Sequence, residues 1–281
     1  MESLSVTGIG KSYDGNAALK DVSFRVERGT VLAVCGENGA GKSTLMNILG
    51  GAAKPDAGTL LIDGEEVILN DPREAIDRGI ATVHQELSLL PHLSVAENIM
   101  LGKAPHGRFR WQVDWQKMYR LADEVLHDLG VETIDVRQKV STLSVSVQQV
   151  VEIAKALVGR PQVLILDEPT AVLSAHEVDL LFRAVRRLAR LGTIIIYISH
   201  RLEEIFEISD RVLVLKDGEM VMDAATDALD RDALIRAMVG RPLTAIYPTR
   251  QIRLGPTLLE CRHLTRRTVF PSFTGGSFVA G

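Results

Sequence analysis

An α/β fold with a largely parallel sheet is predicted on three observations. Short β-rich runs alternate with helical stretches along most of the chain. The runs "TVLAVCG" (30–36), "VLILD" (163–167) and "TIIIYIS" (193–199) are almost continuously apolar, as strands covered on both faces are. Amphipathic segments lie between them. In "HEVDLLFRAVRRLARLG", Val178, Leu181, Val185 and Leu188 recur at steps of three and four, with arginines between.

Taken in order, "TVLAVCG" is the first buried strand, and "STLMNILGG" after it reads as a helix. "TLLIDGEEVIL" (59–69) is two short strands around Asp63-Gly64, a hairpin signal. Residues 103–160 carry no strand pattern. "WQVDWQKMYRLADEVLHDLG" and "SVQQVVEIAKALVG" are helical by period, so a helical subdomain is expected over about 103–160. Trp111 and Trp115 stand one helical turn apart and are expected to pack within it rather than form a ligand platform. Gly192 ends the long arginine-bearing helix. "RVLVLKDGEMVMDA" (211–224) repeats the hairpin signal around Asp217-Gly218.

From Pro242 the periodicity fades; Pro242, Pro248 and Pro256 break the stretch, and residues 244–257 read as a linker. The chain then begins again: "LLECRHLT" (258–265) resembles "SLSVTGIG" (3–10), and "PSF" (271–273) resembles "VSF" (22–24). One domain over 1–243 and the incomplete start of a second copy over 258–281 are expected.

Composition narrows the function. Hydrophobic residues make up 46% and charged residues 24%, enough to bury a sizeable core. The net charge of −4 gives no footing for nucleic acid or an acidic membrane surface. No apolar run reaches about 18 residues, the length a membrane-spanning helix needs. The opening "MESLSVTGIGKSY" lacks a basic segment followed by an apolar one, so no export signal is expected. Cys35 and Cys261, far apart, suit a reducing compartment, and Cys35 reads as a small core residue.

Two motifs carry chemistry. "GENGAGKST" (36–44) fits G-x-x-x-x-G-K-[ST] between a strand and a helix, which is the context a phosphate loop requires. Gly36, Gly39 and Gly41 let the backbone curl, so that the amides of Glu37, Asn38, Ala40 and their neighbours point into one concavity. The helix beginning at Lys42 adds its positive end, with Ser43 and Thr44 in its first turn. Lys42 can reach the β- and γ-phosphates, and the Ser43 hydroxyl can ligate Mg2+. "VLILDEPT" (163–170) ends a buried strand in two acids. Asp167 can hold Mg2+ through water, and Glu168 can polarise an attacking water.

With these motifs, and with "VHQELSLLPHLSVAENIMLG" (83–102), "LSVSVQQVVEIAKAL" (143–157), "ILDEPTAVLS" (165–174) and "YISHRLEEIFEISDRVLVLKDG" (197–218), the chain resembles an ATP-binding cassette of ABC transporters. More narrowly, it resembles the ATPases of bacterial monosaccharide importers, which carry two cassettes in one polypeptide. The resemblance implies a P-loop NTPase cassette with a mixed-sheet core, an antiparallel β subdomain and an inserted helical subdomain. It implies an ATPase that binds ATP and Mg2+ and lies peripherally at the cytoplasmic face of the inner membrane. Its partners would be a second cassette, membrane permease subunits and, indirectly, a periplasmic sugar-binding protein.

The same resemblance gives roles to single residues. Tyr13 matches the aromatic that stacks on adenine. Gln85 matches the glutamine that touches Mg2+ and the attacking water, and residues 85–100 would face the membrane subunit. His200 matches the histidine that contacts the γ-phosphate and orients Glu168. Ser144 opens the family's L-S-G-G-Q turn, which grips the γ-phosphate held by the other cassette. Here Val145 and Ser146 replace the two glycines and Val147 the glutamine. A Cβ at Ser146 should hinder approach of the backbone to the phosphate. The site built on this chain's loop is therefore expected to do most of the hydrolysis. Two alternatives stay open: another cargo such as a nucleoside, and a soluble non-transport ABC ATPase.

Overall fold

The computed structural model describes residues 1–107, 111–239, 259–266 and 273–280, the last two stretches as backbone only. Along the chain, β1 (Ser3–Tyr13), β2 (Asn16–Glu27) and β3 (Val31–Cys35) lead into helix α1 (Lys42–Leu49). β4 (Ala57–Ile62), β5 (Glu65–Val67), α2 (Pro72–Asp77), β6 (Ile80–Val83) and α3 (Val95–Ile99) follow. Then come α4 (Trp115–Asp128), α5 (Val145–Leu157), β7 (Val163–Asp167), α6 (Ala175–Arg190), β8 (Ile194–Ile198) and α7 (Leu202–Ile208). β9 (Arg211–Lys216), β10 (Glu219–Ala225) and α8 (Arg231–Val239) complete a first compact unit, Met1–Pro242. The second unit, Leu243–Gly281, contains β11 (Leu259–Arg266) paired antiparallel with β12 (Phe273–Ala280). The 244–257 linker expected from the sequence lies outside the described residues.

Two sheets build the first unit. Six strands run in the order β10-β9-β3-β8-β7-β6, parallel except for the antiparallel edge strand β10. Four antiparallel strands run in the order β2-β1-β4-β5. This is the mixed core and antiparallel subdomain that the sequence led us to expect. Asp63 (φ 53) with Gly64 (φ 84), and Asp217 (φ 50) with Gly218 (φ 82), make the two hairpin turns. Asp14 (φ 49) with Gly15 (φ 82) makes a third, joining β1 to β2.

The apolar runs are explained by cover on both faces. On β7, Val163 and Ile165 join the cluster shared with α1 and the antiparallel sheet. Leu164 and Leu166 join the cluster shared with α3, α4, α5 and α6. Ala33, Cys35, Val212 and Val214 pack instead against α7 and α8. Each fully buried aliphatic side chain contributes about 1.5–3 kcal/mol, and β3, β7 and β8 are buried almost end to end.

The helical insertion holds α4 and α5, and no strand lies among its described residues. The two tryptophans are a correction. Asp114 caps α4 by accepting the Lys117 N–H at 3.0 Å, so the helix starts at Trp115 and Trp111 precedes it. Trp111 is 83% exposed and Trp115 is 48% exposed, its ring 6.2 Å from that of Tyr119. The packing face of α4 is instead Met118, Ala122 and Leu126.

Candidate active site

Register in the parallel sheet brings the motifs to one edge. Val34 pairs with Ile198, Asp167 with Ile198, and Val83 with Leu166. The segments leaving β3, β8, β7 and β6 therefore emerge side by side, at the carboxyl ends where open α/β sheets bind ligands. They carry the 36–44 loop, His200, Asp167-Glu168 and Gln85.

Two hairpins hold the loop from behind. Gly218 donates its N–H to Ala40 O at 3.2 Å, and Lys20 donates to Gly218 O at 2.8 Å. At Gly41 a Cβ would stand 2.6 Å from Ala18 O and 2.7 Å from Leu19 Cδ2. At Gly36, φ is +150° and a Cβ would strike Leu215 O. Gly36→Ala is therefore expected to destabilise the protein by about 3 kcal/mol or more. Gly39→Ala, strained at φ +83° but with open space around it, should cost about 1–2 kcal/mol. Urea unfolding of both variants checks the difference.

Lys42 begins α1 and is nearly buried. Its Nζ donates to Gly36 O at 2.8 Å and Glu37 O at 2.9 Å, which fixes the ammonium at the mouth of the loop. Burial pushes its pKa below the usual lysine value, against the pull of Glu168, Cys35 and Asp167. Ser43 is exposed and Thr44 half-buried. Behind the loop, burial pushes the Cys35 thiol up to about 12, against the nearby Lys42 charge, so it stays a neutral core residue.

Asp167 is the last residue of β7, and Glu168 follows it. Burial, then the neighbouring Glu168 charge, raises the Asp167 carboxyl above the usual range, while His84 and Lys42 oppose. Glu168 takes a left-handed conformation (φ 45) and donates its N–H to Ile198 O at 3.1 Å. That turn aims its carboxylate at His200, whose Nδ1 lies 2.9 Å from Glu168 Oε1. Gln85 is exposed in the bend after β6.

Ser43, Gln85 and Asp167 offer only oxygen donors, the chemistry of a hard divalent cation. Among the described residues no group of three or more His, Cys, Asp or Glu could hold a metal by itself. The donor set fits an ion that brings phosphate and water ligands with it, and a cation here would relieve the crowded Asp167-Glu168 charge.

Tyr13 is the last residue of β1, half-exposed, with Lys11 Nζ 5.4 Å from its ring centroid. Asp56 steadies this end of the strand, accepting from Lys11 Nζ at 2.7 Å and from Ser12 N–H at 2.8 Å. Tyr13 pairs with Asn16 on β2, the strand whose Ala18 and Leu19 press on Gly41.

Ser144 belongs to another element. It caps α5, accepting the Val147 N–H at 3.4 Å and sharing a 3.0 Å bond with the Ser146 hydroxyl. The nearby Ser146 hydroxyl, with the Ser174 N–H, holds the carboxyl of Glu177 on α6 below its usual range. A cavity of about 870 Å³ lies at the opposite ends of the strands, among Arg28, Lys103, Gln162 and Thr193. It contains none of these residues.

One residue at the edge escaped the sequence reading. Glu204 is buried behind Glu168 and His200, where it accepts four side-chain hydrogen bonds. An acid inside "SHRLEEI" carries no local signal of burial.

A profile of the ABC transporter family matches residues 19–171. A putative ribose/galactose/methyl galactoside import ATP-binding protein of Burkholderia lata is 46% identical over 95% of this chain and 50% of its own length. A ribose import ATP-binding protein of Halalkalibacterium halodurans is 46% identical over 95% of this chain and 53% of its own length. The chain spans about half the length of the curated relatives it matches. Among solved structures, the ADP conformation of MJ1267, an ATP-binding cassette of an ABC transporter, superposes with a TM-score of 0.75 at 26% identity, over 85% of this chain and 98% of that one. The ADP- and phosphate-bound dimer of the cassette MJ0796 gives 0.69 at 27% identity, over 80% and 100%. The profile covers more than half the sequence, and the solved cassettes share its fold: the chain belongs to the ABC transporter family.

Proposed function

We propose that this chain is the ATP-hydrolysing cassette that powers import of a monosaccharide through a membrane ABC transporter. The observation that carries the reading is the Glu168–His200 pair, 2.9 Å apart on adjacent strand ends beside the Lys42 loop. The names of the relatives, ribose and galactose import ATP-binding proteins, support the cargo class.

In this reading adenine stacks on Tyr13, and the amides of 36–44 and the amino end of α1 cradle the phosphates. Lys42 turns its ammonium to the β- and γ-phosphates. Ser43, Asp167 and Gln85 would hold Mg2+, which supplies charge neutralisation on the phosphates when bound. Glu168 accepts a proton from water as its oxygen bonds the γ-phosphorus. The bond to the bridging oxygen breaks, and ADP leaves with the electron pair. His200 holds Glu168 in place and donates to a γ-phosphate oxygen. Catalysis is mainly positioning and charge stabilisation.

Residues 1–243 form this cassette, with the helical subdomain at about 103–160, and 258–281 begin a second one after the linker. The second cassette completes the exposed edge, and residues 85–100 dock on the permease at the cytoplasmic face of the inner membrane. A periplasmic sugar-binding protein delivers the cargo, and nucleic acid plays no part. Among the described residues no helix is long and apolar enough to cross a membrane. A strain lacking the gene should lose uptake of labelled ribose or galactose, regained with the wild-type gene and not with Glu168→Gln. Undiminished uptake of both sugars in the deletion strain would overturn the cargo assignment.

The signature turn supports an unequal pair of sites. Ser146 fills the place of a glycine, and its hydroxyl engages that of Ser144. Ser146→Gly with Val147→Gln in the full-length protein should raise ATP turnover up to about twofold, as a second site joins the first. An unchanged rate contradicts the asymmetry.

A further inference from the structure

We propose that Glu204 is a positioning residue that ties the loop carrying His200 to the loop carrying Glu168 and so sets the geometry of hydrolysis. The inference rests on the ATPase reading above. Glu204 lies on α7, four residues after His200, and its side chain is 7% exposed. Oε1 accepts from Thr170 Oγ1 at 2.8 Å and from an Arg201 guanidinium nitrogen at 3.0 Å. Oε2 accepts from Tyr197 OH at 2.9 Å and Ser199 Oγ at 2.8 Å. Thr170 follows Glu168 by two residues, and Ser199 and Arg201 flank His200. One carboxylate thus grips both loops from behind.

The position of His200 depends on this grip. Its side chain is 61% exposed and its ring bonds Glu168, so packing does little to hold it. Its backbone is fixed on both sides, because Ser199 Oγ also accepts the Arg201 N–H at 3.0 Å while bonding Glu204. Buried carboxylates are costly unless their oxygens are filled by donors. Here burial favours the neutral acid, but the Thr170, Arg201, Ser199 and Tyr197 bonds together hold the carboxyl below its usual range. The anion and its four donors therefore form one set, and a shift in any member moves a loop. A misplacement of about 1 Å at a reacting group costs about 10²-fold in rate.

The test is Glu204→Gln in the full-length protein, alone and combined with His200→Ala. Single-turnover release of labelled phosphate reads the rate, and a fluorescent ATP analogue reads affinity. The amide keeps the shape, but it carries no charge to pair with Arg201, and its nitrogen cannot accept from Tyr197 and Ser199 as Oε2 does. The expected result is at least about a tenfold fall in rate, with affinity within about twofold. On the His200→Ala background the substitution should add nothing, because its effect passes through His200. A residue that only braces the fold would lower the rate by the same factor on both backgrounds, and that result overturns the proposal. So does an unchanged rate in Glu204→Gln while Glu168→Gln is inactive, an outcome that leaves the ATPase reading standing. A wild-type protein that releases no phosphate overturns both together. If Glu204→Gln does not fold, Thr170→Val removes one donor and is read by the same cycle, with about a threefold loss expected on the wild-type background alone.

Discussion

Glu168→Gln is expected to lower ATP turnover by at least about 10²-fold while leaving nucleotide affinity within about twofold. The glutamine keeps the length of the side chain and an oxygen that can accept from His200, so the left-handed turn at residue 168 and the 2.9 Å contact can persist. It loses the negative charge that accepts a proton from water. The carboxylate also contributes to the crowding that burial and Glu168 impose on Asp167, so its removal should ease that strain and leave the fold intact. Phosphate release measured beside binding of a fluorescent ATP analogue separates the two effects. An equal fall in both would mean that the side chain builds the site rather than acting on water.

Lys42→Ala should act on the opposite quantity. Its ammonium now bonds the Gly36 and Glu37 carbonyls and is destabilised by burial. Two bonds from a charged donor lost cost the fold about 1.5–3 kcal/mol each, and removal of a desolvated charge offsets much of that. Thermal stability should therefore change little. Affinity should fall about 10²-fold, because hydrogen bonds to charged groups contribute about 1.5–3 kcal/mol each. Equilibrium titration with the analogue reads this directly.

Where structure follows local chemistry, it was legible in the sequence. Asp63-Gly64 and Asp217-Gly218 announced their hairpins through the positive φ that only such residues take readily. Asp14-Gly15 carries the same signal between Tyr13 and Asn16, but the exposed, polar end of β1 beside it gives no apolar alternation to frame a hairpin. The continuous apolar runs of β3, β7 and β8 showed burial on both faces. The spacing of Trp111 and Trp115 suggests one helical turn, but Asp114 between them is the cap at which α4 begins. At the site, the order of strands could not be read from any one motif. It takes the parallel register of β3, β8, β7 and β6 to bring residues near 36, 200, 168 and 85 to one edge. Glu204 was least legible, since its four donors come from Thr170, Tyr197, Ser199 and Arg201 and meet only in the folded chain.

The grip of the 36–44 loop on a triphosphate is tested most directly by titrating this chain with a fluorescent ATP analogue and displacing it with ATP, pyrophosphate or adenosine. The expected result is saturable binding, displaced by ATP and by pyrophosphate but not by adenosine at the same concentrations. No saturable binding, or displacement by adenosine as readily as by ATP, would contradict a site built around Lys42.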